Sequence, residues 1–295
     1  MTLEARLAAA RAGEAGATAR LLSIVENDEP EAAAILRATY PQAGRALVVG
    51  LTGPPGGGKS TLVSRLVAAY RERHGRVAVV AVDPSSPFTG GAILGDRIRM
   101  RERFLDEGVF IRSMASRGAS GGLARASGRV VGVLDALGHE VVLVETVGVG
   151  QEEVEVMRVA GTVCLVTVPG LGDDIQAIKA GILEIADVLV VNKADKPGAD
   201  EAARDLQMML TLSRSPAGAW RPPIVRTTAT SGEGVAERVE AVAAHAAWSA
   251  ESGDGLRRRR EAARVEVETL LREALLRRLE GRVGRDRLGD AVARV

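Results

Sequence analysis

Cysteine is almost absent from this chain: Cys164 is the only one in 295 residues. That excludes an internal disulfide, and its place within an apolar run makes it a buried small hydrophobe by expectation. The three histidines, His74, His139 and His245, are scattered. No metal centre of thiolate and imidazole ligands is therefore expected. Long apolar stretches are missing as well. None approaches ~18 residues without a charge, and the N-terminus has no signal-type apolar segment, so the expectation is a cytoplasmic chain with no membrane partner. Net charge is equally scant: 39 basic against 38 acidic residues leave a formal +1, which argues against a nucleic-acid partner. Lysine is the last scarcity. Only Lys59, Lys179, Lys193 and Lys196 stand among the 39 basic residues. With arginine as the default cation, each lysine marks a place where a guanidinium fork would not serve.

What is present centres on residues 53–60, Gly53-Pro54-Pro55-Gly56-Gly57-Gly58-Lys59-Ser60. They fit G-x-x-x-x-G-K-[ST], the phosphate-binding loop. Residues 46–52 (ALVVGLT) before it read as a buried strand. After it, Leu62, Val63, Leu66, Val67 and Tyr70 recur at helical spacing. A helix opening at Lys59, Ser60 and Thr61 points its unpaired N–H groups at whatever the loop holds. Glycines let backbone amides close around phosphate oxygens. Lys59 supplies a cation for the β- and γ-phosphates, and the Ser60 hydroxyl is placed to ligate Mg²⁺.

The rest of the chain arranges itself around that loop. Apolar runs rich in β-branched residues recur at 77–82, 141–144, 163–168, 188–191 and 224–225, with helix-like segments between them. Continuous apolarity means strands covered on both faces. The expected fold is α/β, a P-loop NTPase with a mostly parallel central sheet flanked by helices, plus N- and C-terminal helical extensions. Its expected parts are an N-terminal helical extension (1–44), a phosphate-loop domain (45–250) and a C-terminal helical extension (251–295). In the first part, Gly13 and Gly16 break an Ala- and Leu-rich helical pattern and Pro30 starts a later helix; it either packs on the domain or binds a partner. In the last, residues 257–280 open with four arginines and carry Val267, Leu270, Leu271, Ala274, Leu275 and Leu279 on one face. That face docks on the domain or on a second copy.

Right-handed crossovers place the carboxyl ends of parallel strands on one edge, where ligands bind. Each remaining motif follows a strand. Asn192-Lys193-Ala194-Asp195 fits N-K-x-D. The Asp195 carboxylate can accept both N1–H and the 2-amino group of guanine, while adenine would leave it unpaired. The Lys193 stem can lie along the base, and Asn192 can tie this loop to the phosphate loop. Thr228-Ala229-Thr230 follows the last strand, with amides that could meet guanine O6. Glu145-Thr146-Val147-Gly148 has the D-x-x-G shape of a switch with Glu in the acidic place. Its carboxylate can hold Mg²⁺ directly or through water, and the Gly148 amide can bond the γ-phosphate. Val149 stands where a water-orienting Gln would, so slow intrinsic hydrolysis is expected. Asp83 ends the run at 77–82, and Asp96 follows in a glycine- and arginine-rich stretch. Asp83 is a metal ligand or a helix cap, and Asp96 orients the attacking water or ligates the metal. Residues 169–179 (PGLGDDIQAIK) form a further loop, in which Asp173 or Asp174 caps a helix or belongs to another switch.

With these residues assembled, the chain resembles the MeaB/ArgK-type GTPases. The segments that carry the likeness are GPPGGGKSTL, VDPSSPFTGGAILGDRIRM, ETVGVGQ, PGLGDDIQAIKAG and NKAD. The resemblance implies GTP hydrolysis coupled to cofactor loading and protection of an adenosylcobalamin-dependent acyl-CoA mutase, often by a homodimer. It assigns Mg²⁺ binding or hydrolysis to Asp83, Asp96 and Glu145, and a mutase-facing switch to residues 169–179. Gly57 stands where the usual phosphate loop has alanine, and the extreme C-terminus matches less well. The different-class alternative is a P-loop ATPase or kinase associated with arginine/ornithine transport, against which N-K-x-D argues. Metal delivery, as nickel-delivery GTPases perform it, would need the missing Cys/His cluster.

Overall fold

Runs of valine and leucine with no polar alternation need cover on both faces, and a parallel sheet between two helical layers supplies it. The computed structural model describes residues 1–83, 106–115, 122–146, 157–170, 184–212 and 218–283. The described strands are β1 (Leu47–Thr52), β2 (Val77–Asp83), β3 (Val109–Ala115), β4 (Val141–Thr146), β5 (Thr162–Thr167), β6 (Val188–Asn192) and β7 (Ile224–Thr227). They form one sheet in the order β3-β2-β4-β1-β5-β6-β7, and every neighbouring pair is parallel. The described helices are α1 (Leu3–Arg11), α2 (Ala15–Glu26), α3 (Ala32–Thr39), α4 (Lys59–Arg71), α5 (Gly122–Ala136), α6 (Ala199–Leu212), α7 (Val235–Glu251) and α8 (Asp254–Val283). Two compact units divide the chain, Met1–Ser249 and Ala250–Val295.

Period-two alternation decides which strand residue meets which layer. Val49, Leu51, Val77, Val79, Val141, Leu143, Cys164 and Val166 pack with Leu62, Leu66 and Tyr70 of α4 and with Val239 and Val242 of α7. On the opposite face, Ala78, Val80, Val82, Val142 and Val144 pack with Leu21, Leu22 and Val25 of α2 and Val130, Val133 and Leu134 of α5. Leu165, Leu189 and Val191 form a third cluster with Ala199, Ala202, Ala203 and Leu206 of α6. Cys164 is a fully buried member of this core.

At the N-terminus, Gly13 (φ +101°) follows α1. Gly16 lies inside the first turn of α2 rather than breaking the helical pattern. The Asp135 carboxylate on α5 accepts from the backbone N–H groups of Gly44, Arg45 and Ala46 and so fixes the entry to β1. At the amino ends of β5 and β6, Asp187 accepts from Val163 N–H at 2.8 Å and its carbonyl accepts from Trp220 Nε1 at 2.7 Å. His245 Nε2 lies 3.2 Å from Asp187 Oδ1, and its Nδ1 is 2.8 Å from Thr162 Oγ1. This polar knot closes the edge of the sheet opposite the motif-bearing one.

Strand β3 has no counterpart in the sequence reading. Its run, VFIRSMA, is broken by Arg112 and Ser113. It lies on the sheet edge, where Arg112 pairs with Glu26 and bonds Ser23 of α2. The second unit holds α8, which begins at Asp254, three residues before the predicted start, and runs to Val283. Arg264 pairs with Glu261 and Glu268 along it, while Val267, Leu270, Leu271 and Leu275 are exposed. Among the described residues, no helix is long and apolar enough to cross a membrane.

Candidate nucleotide site

The carboxyl ends of β1, β4, β6 and β7 bring most of the sequence-predicted residues to one edge. Strand β1 runs into the phosphate loop, and α4 leaves it with Gly58 as its N-cap at φ +80°, ψ 22°. Only glycine takes that backbone readily, and space there is closed as well: a Cβ on Gly58 would lie 2.5 Å from Asn192 Nδ2. Gly57 N–H bonds Pro54 O at 3.2 Å, turning the loop over its own prolines. Lys59 is buried, 6% exposed. Its Nζ donates to Gly53 O at 2.7 Å and to Pro54 O at 2.9 Å. The ammonium thus sits inside the loop's curve, and the amides at the start of α4 open onto the same space.

Glu145 is placed by register. It pairs with Leu51 of β1 on one side and Ala81 of β2 on the other. The residue is 4% exposed, and its Oε1 accepts from Ser60 Oγ at 2.7 Å. A buried hydroxyl beside a buried carboxylate is a hard-oxygen donor pair of the kind Mg²⁺ takes, so these residues fit that ion. Asp83 closes β2, one strand from β4 and at the same edge, its backbone aligned with Ala115. Asp96, Gly148, Asp173, Asp174 and Lys179 lie outside the described residues.

Asn192, at the end of β6, is 1% exposed and joins three segments. Its Nδ2 donates to Gly57 O at 2.8 Å, and its Oδ1 accepts from Thr227 Oγ1 at 3.1 Å and Ala229 N–H at 3.2 Å. Lys193 follows in the left-handed region (φ +57°), with Nζ donating to Gly56 O at 2.8 Å. The scarce lysine therefore spans from one loop to the other. Asp195 is exposed at the rim, open to a base laid along the Lys193 stem. Thr228 N–H bonds Glu233 O at 3.0 Å, which takes that amide out of base recognition. The Ala229 amide is engaged by Asn192 in the same way, which leaves the Thr230 amide to meet a base.

Two residues of this edge escaped the sequence reading. Thr227 holds Asn192, and Arg65 of α4 donates to the carbonyls of Ala229 and Thr230. Arg65 acts on backbone carbonyls, which leave no local motif.

A strand–loop–helix with a buried Lys and Ser, an acid on the next strand and N-K-x-D after β6 define a P-loop GTPase. The chain belongs to the family whose model is described as methylmalonyl Co-A mutase-associated GTPase MeaB, which matches residues 18–283. It is 48% identical over 285 residues to a Pyrococcus abyssi protein named as a GTPase, covering 96% of this chain and 88% of that one. It is 37% identical over 243 residues to the GTPase ArgK of Escherichia coli, covering 80% of this chain and 73% of that one. Among solved structures it is similar to a LAO/AO transport system kinase, with a TM-score of 0.75 and 29% identity over 97% of this chain and 87% of that one.

Proposed function

We propose that this GTPase is a chaperone of an adenosylcobalamin-dependent acyl-CoA mutase, methylmalonyl-CoA mutase or a relative, and that its nucleotide state gates loading and protection of the mutase's cofactor. The observation that carries this reading is the match of residues 18–283 to a family described as associated with that mutase. A cytoplasmic location belongs to the same reading. A homodimer does too, supported by the exposed stripe of Val267, Leu270, Leu271 and Leu275 on α8.

The proposed chemistry is in-line attack of water on the γ-phosphate of GTP. The backbone from Gly53 to Thr61 cradles the phosphates, with Pro54, Pro55, Gly56, Gly57 and Gly58 shaping the curve. Lys59 leaves its two loop carbonyls for the β- and γ-phosphates and stabilises charge developing there. Ser60, Glu145, Asp83 and Asp96 form the metal-facing set, and Mg²⁺ held there supplies a Lewis acid to the phosphate oxygens. Glu145 or Asp96 orients the water, and the Gly148 amide senses the γ-phosphate. Asn192, Lys193, Asp195, Thr228, Ala229 and Thr230 hold and read the base, with Thr228 acting as the anchor of its loop.

The partner is tested by adding purified adenosylcobalamin mutases one at a time and following phosphate release. Acceleration by one of them supports the reading, and a flat rate across the panel sinks it. A second reading, an ATPase or kinase tied to amino-acid transport, is favoured by the likeness to the solved LAO/AO transport system kinase. Competition of ATP against GTP separates the two. Asp195→Asn should weaken GTP binding by more than about a hundredfold while leaving ATP unchanged; equal losses for both nucleotides would remove Asp195 from base recognition.

A further inference from the structure

The loop that follows β7 is gripped from two sides, and the second grip comes from the phosphate-loop helix. Asn192 takes the Ala229 N–H. Arg65 takes the other side: its Nε donates to Ala229 O at 3.1 Å and its Nη2 to Thr230 O. Arg65 stands on α4, roughly 9 Å along the helix axis from Lys59. One rigid helix therefore presents a phosphate cation at its start and a clamp on the base-side loop further on.

In a trans peptide the C=O and N–H point in opposite directions. Holding the Ala229 carbonyl towards α4 therefore turns the Thr230 N–H away from it. Holding the Thr230 carbonyl fixes the next plane, whose Ser231 N–H bonds Thr228 O at 3.1 Å. A planar guanidinium with forked donors can hold two successive carbonyls at once; an ammonium cannot hold them in a fixed relation.

We propose that Arg65 is a positioning residue for guanine recognition. By fixing the Ala229–Thr230 and Thr230–Ser231 peptide planes, it aims the Thr230 amide at the O6 atom of the base. The inference rests on the reading of 192–195 and 228–230 as the guanine site, and it adds a specificity element borne by the phosphate-loop helix.

The test compares binding of three nucleotides to the full chain and its variants: GTP, ITP, which keeps O6 but lacks the 2-amino group, and 2-aminopurine riboside triphosphate, which lacks O6. R65A should weaken GTP and ITP alike, by about tenfold, and leave the O6-lacking analogue unchanged. R65K, with one donor centre, should recover part of the loss. A merely structural role would weaken all three nucleotides together, and that result, or no change for GTP, overturns the proposal. Should R65A fold poorly, R65Q, which keeps one amide donor, must give the same split between GTP and the O6-lacking analogue. D195N separates the underlying reading. It should hurt GTP more than ITP, because ITP has no 2-amino group to lose. If D195N leaves GTP binding unchanged, the guanine reading falls and Arg65's role with it. If D195N behaves as expected and R65A shows no O6 dependence, only the Arg65 assignment fails.

Discussion

The Ser60 hydroxyl donates to Glu145 Oε1 at 2.7 Å, joining the first turn of α4 to the end of β4 across 85 residues of sequence. Both groups are buried, so the pair is shielded from solvent, and binding a cation there means exchanging one hydroxyl proton contact for metal coordination. Glu145→Ala should raise the Mg²⁺ concentration needed for half-maximal GTP hydrolysis by roughly 10- to 100-fold. Glu145→Gln, which keeps the shape and loses the charge, should do nearly as much. An unchanged Mg²⁺ titration in both variants would move the metal role to another acid.

Asn192→Ala removes one donor and one acceptor that bind three segments. Leaving their partners unsatisfied in a buried place costs about 1–3 kcal/mol each. The expected result is a drop of several degrees in the unfolding midpoint, taking roughly 2–4 °C per kcal/mol for a domain of this size, together with weaker GTP binding. A variant that loses GTP but keeps its midpoint would mean that Asn192 serves the ligand rather than the loops.

Two glycines of the phosphate loop separate backbone strain from steric closure. Gly56 has φ +73° and Gly58 φ +80°, so alanine at either costs about 1–2 kcal/mol of left-handed strain. At Gly56 a Cβ meets nothing within 4 Å, whereas at Gly58 it lies 2.5 Å from Asn192 Nδ2. Gly58→Ala should therefore displace Asn192 and abolish nucleotide binding, while Gly56→Ala lowers stability and retains it. Isothermal titration with GDP distinguishes them, and equal behaviour of the two variants would refute the steric argument.

Burial holds the His139 pKa down at about 4, against an ordinary value of 6.5. Its Nδ1 bonds Leu134 O at 2.9 Å within the α5–β4 connection. Because the folded pKa lies below the unfolded one, the unfolded chain binds the extra proton between these values. Stability from this group is complete above pH 6.5 and is lost as pH falls towards about 4, by roughly 3 kcal/mol at most. Denaturant unfolding between pH 7 and 4.5 should show this slope. His139→Gln, which keeps an N–H for Leu134, should flatten it; an unchanged slope would assign the pH dependence to carboxylates.

What was legible in the sequence, and what was not, follows from the kind of partner each residue has. Six of the seven described strands are visible as apolar runs, five because they are covered on both faces and β7 through Ile224 and Val225 alone. Strand β3 hides because its edge position admits Arg112 and Ser113. Lys59, Ser60, Asn192 and Lys193 announce themselves because one chemistry dictates each residue type at a fixed spacing. Asp135 and Arg65 do not, for they bind backbone amides and carbonyls. Every residue offers such groups, so nothing in the partner's sequence marks the contact.

The strand order gives β1 a boundary role. On one side of it stand β4 and β2, which carry Glu145 and Asp83 near their carboxyl ends; on the other stand β5, β6 and β7, which carry Asn192 and the 228–230 loop. On the proposed assignments, the half that recognises which nucleotide is present is separate from the half that registers how many phosphates it has. GDP and GTP then share one contribution to affinity from the first half and differ only through the second. On these assignments, a substitution on the β2–β4 side should change the timing of hydrolysis without relaxing fidelity for the base.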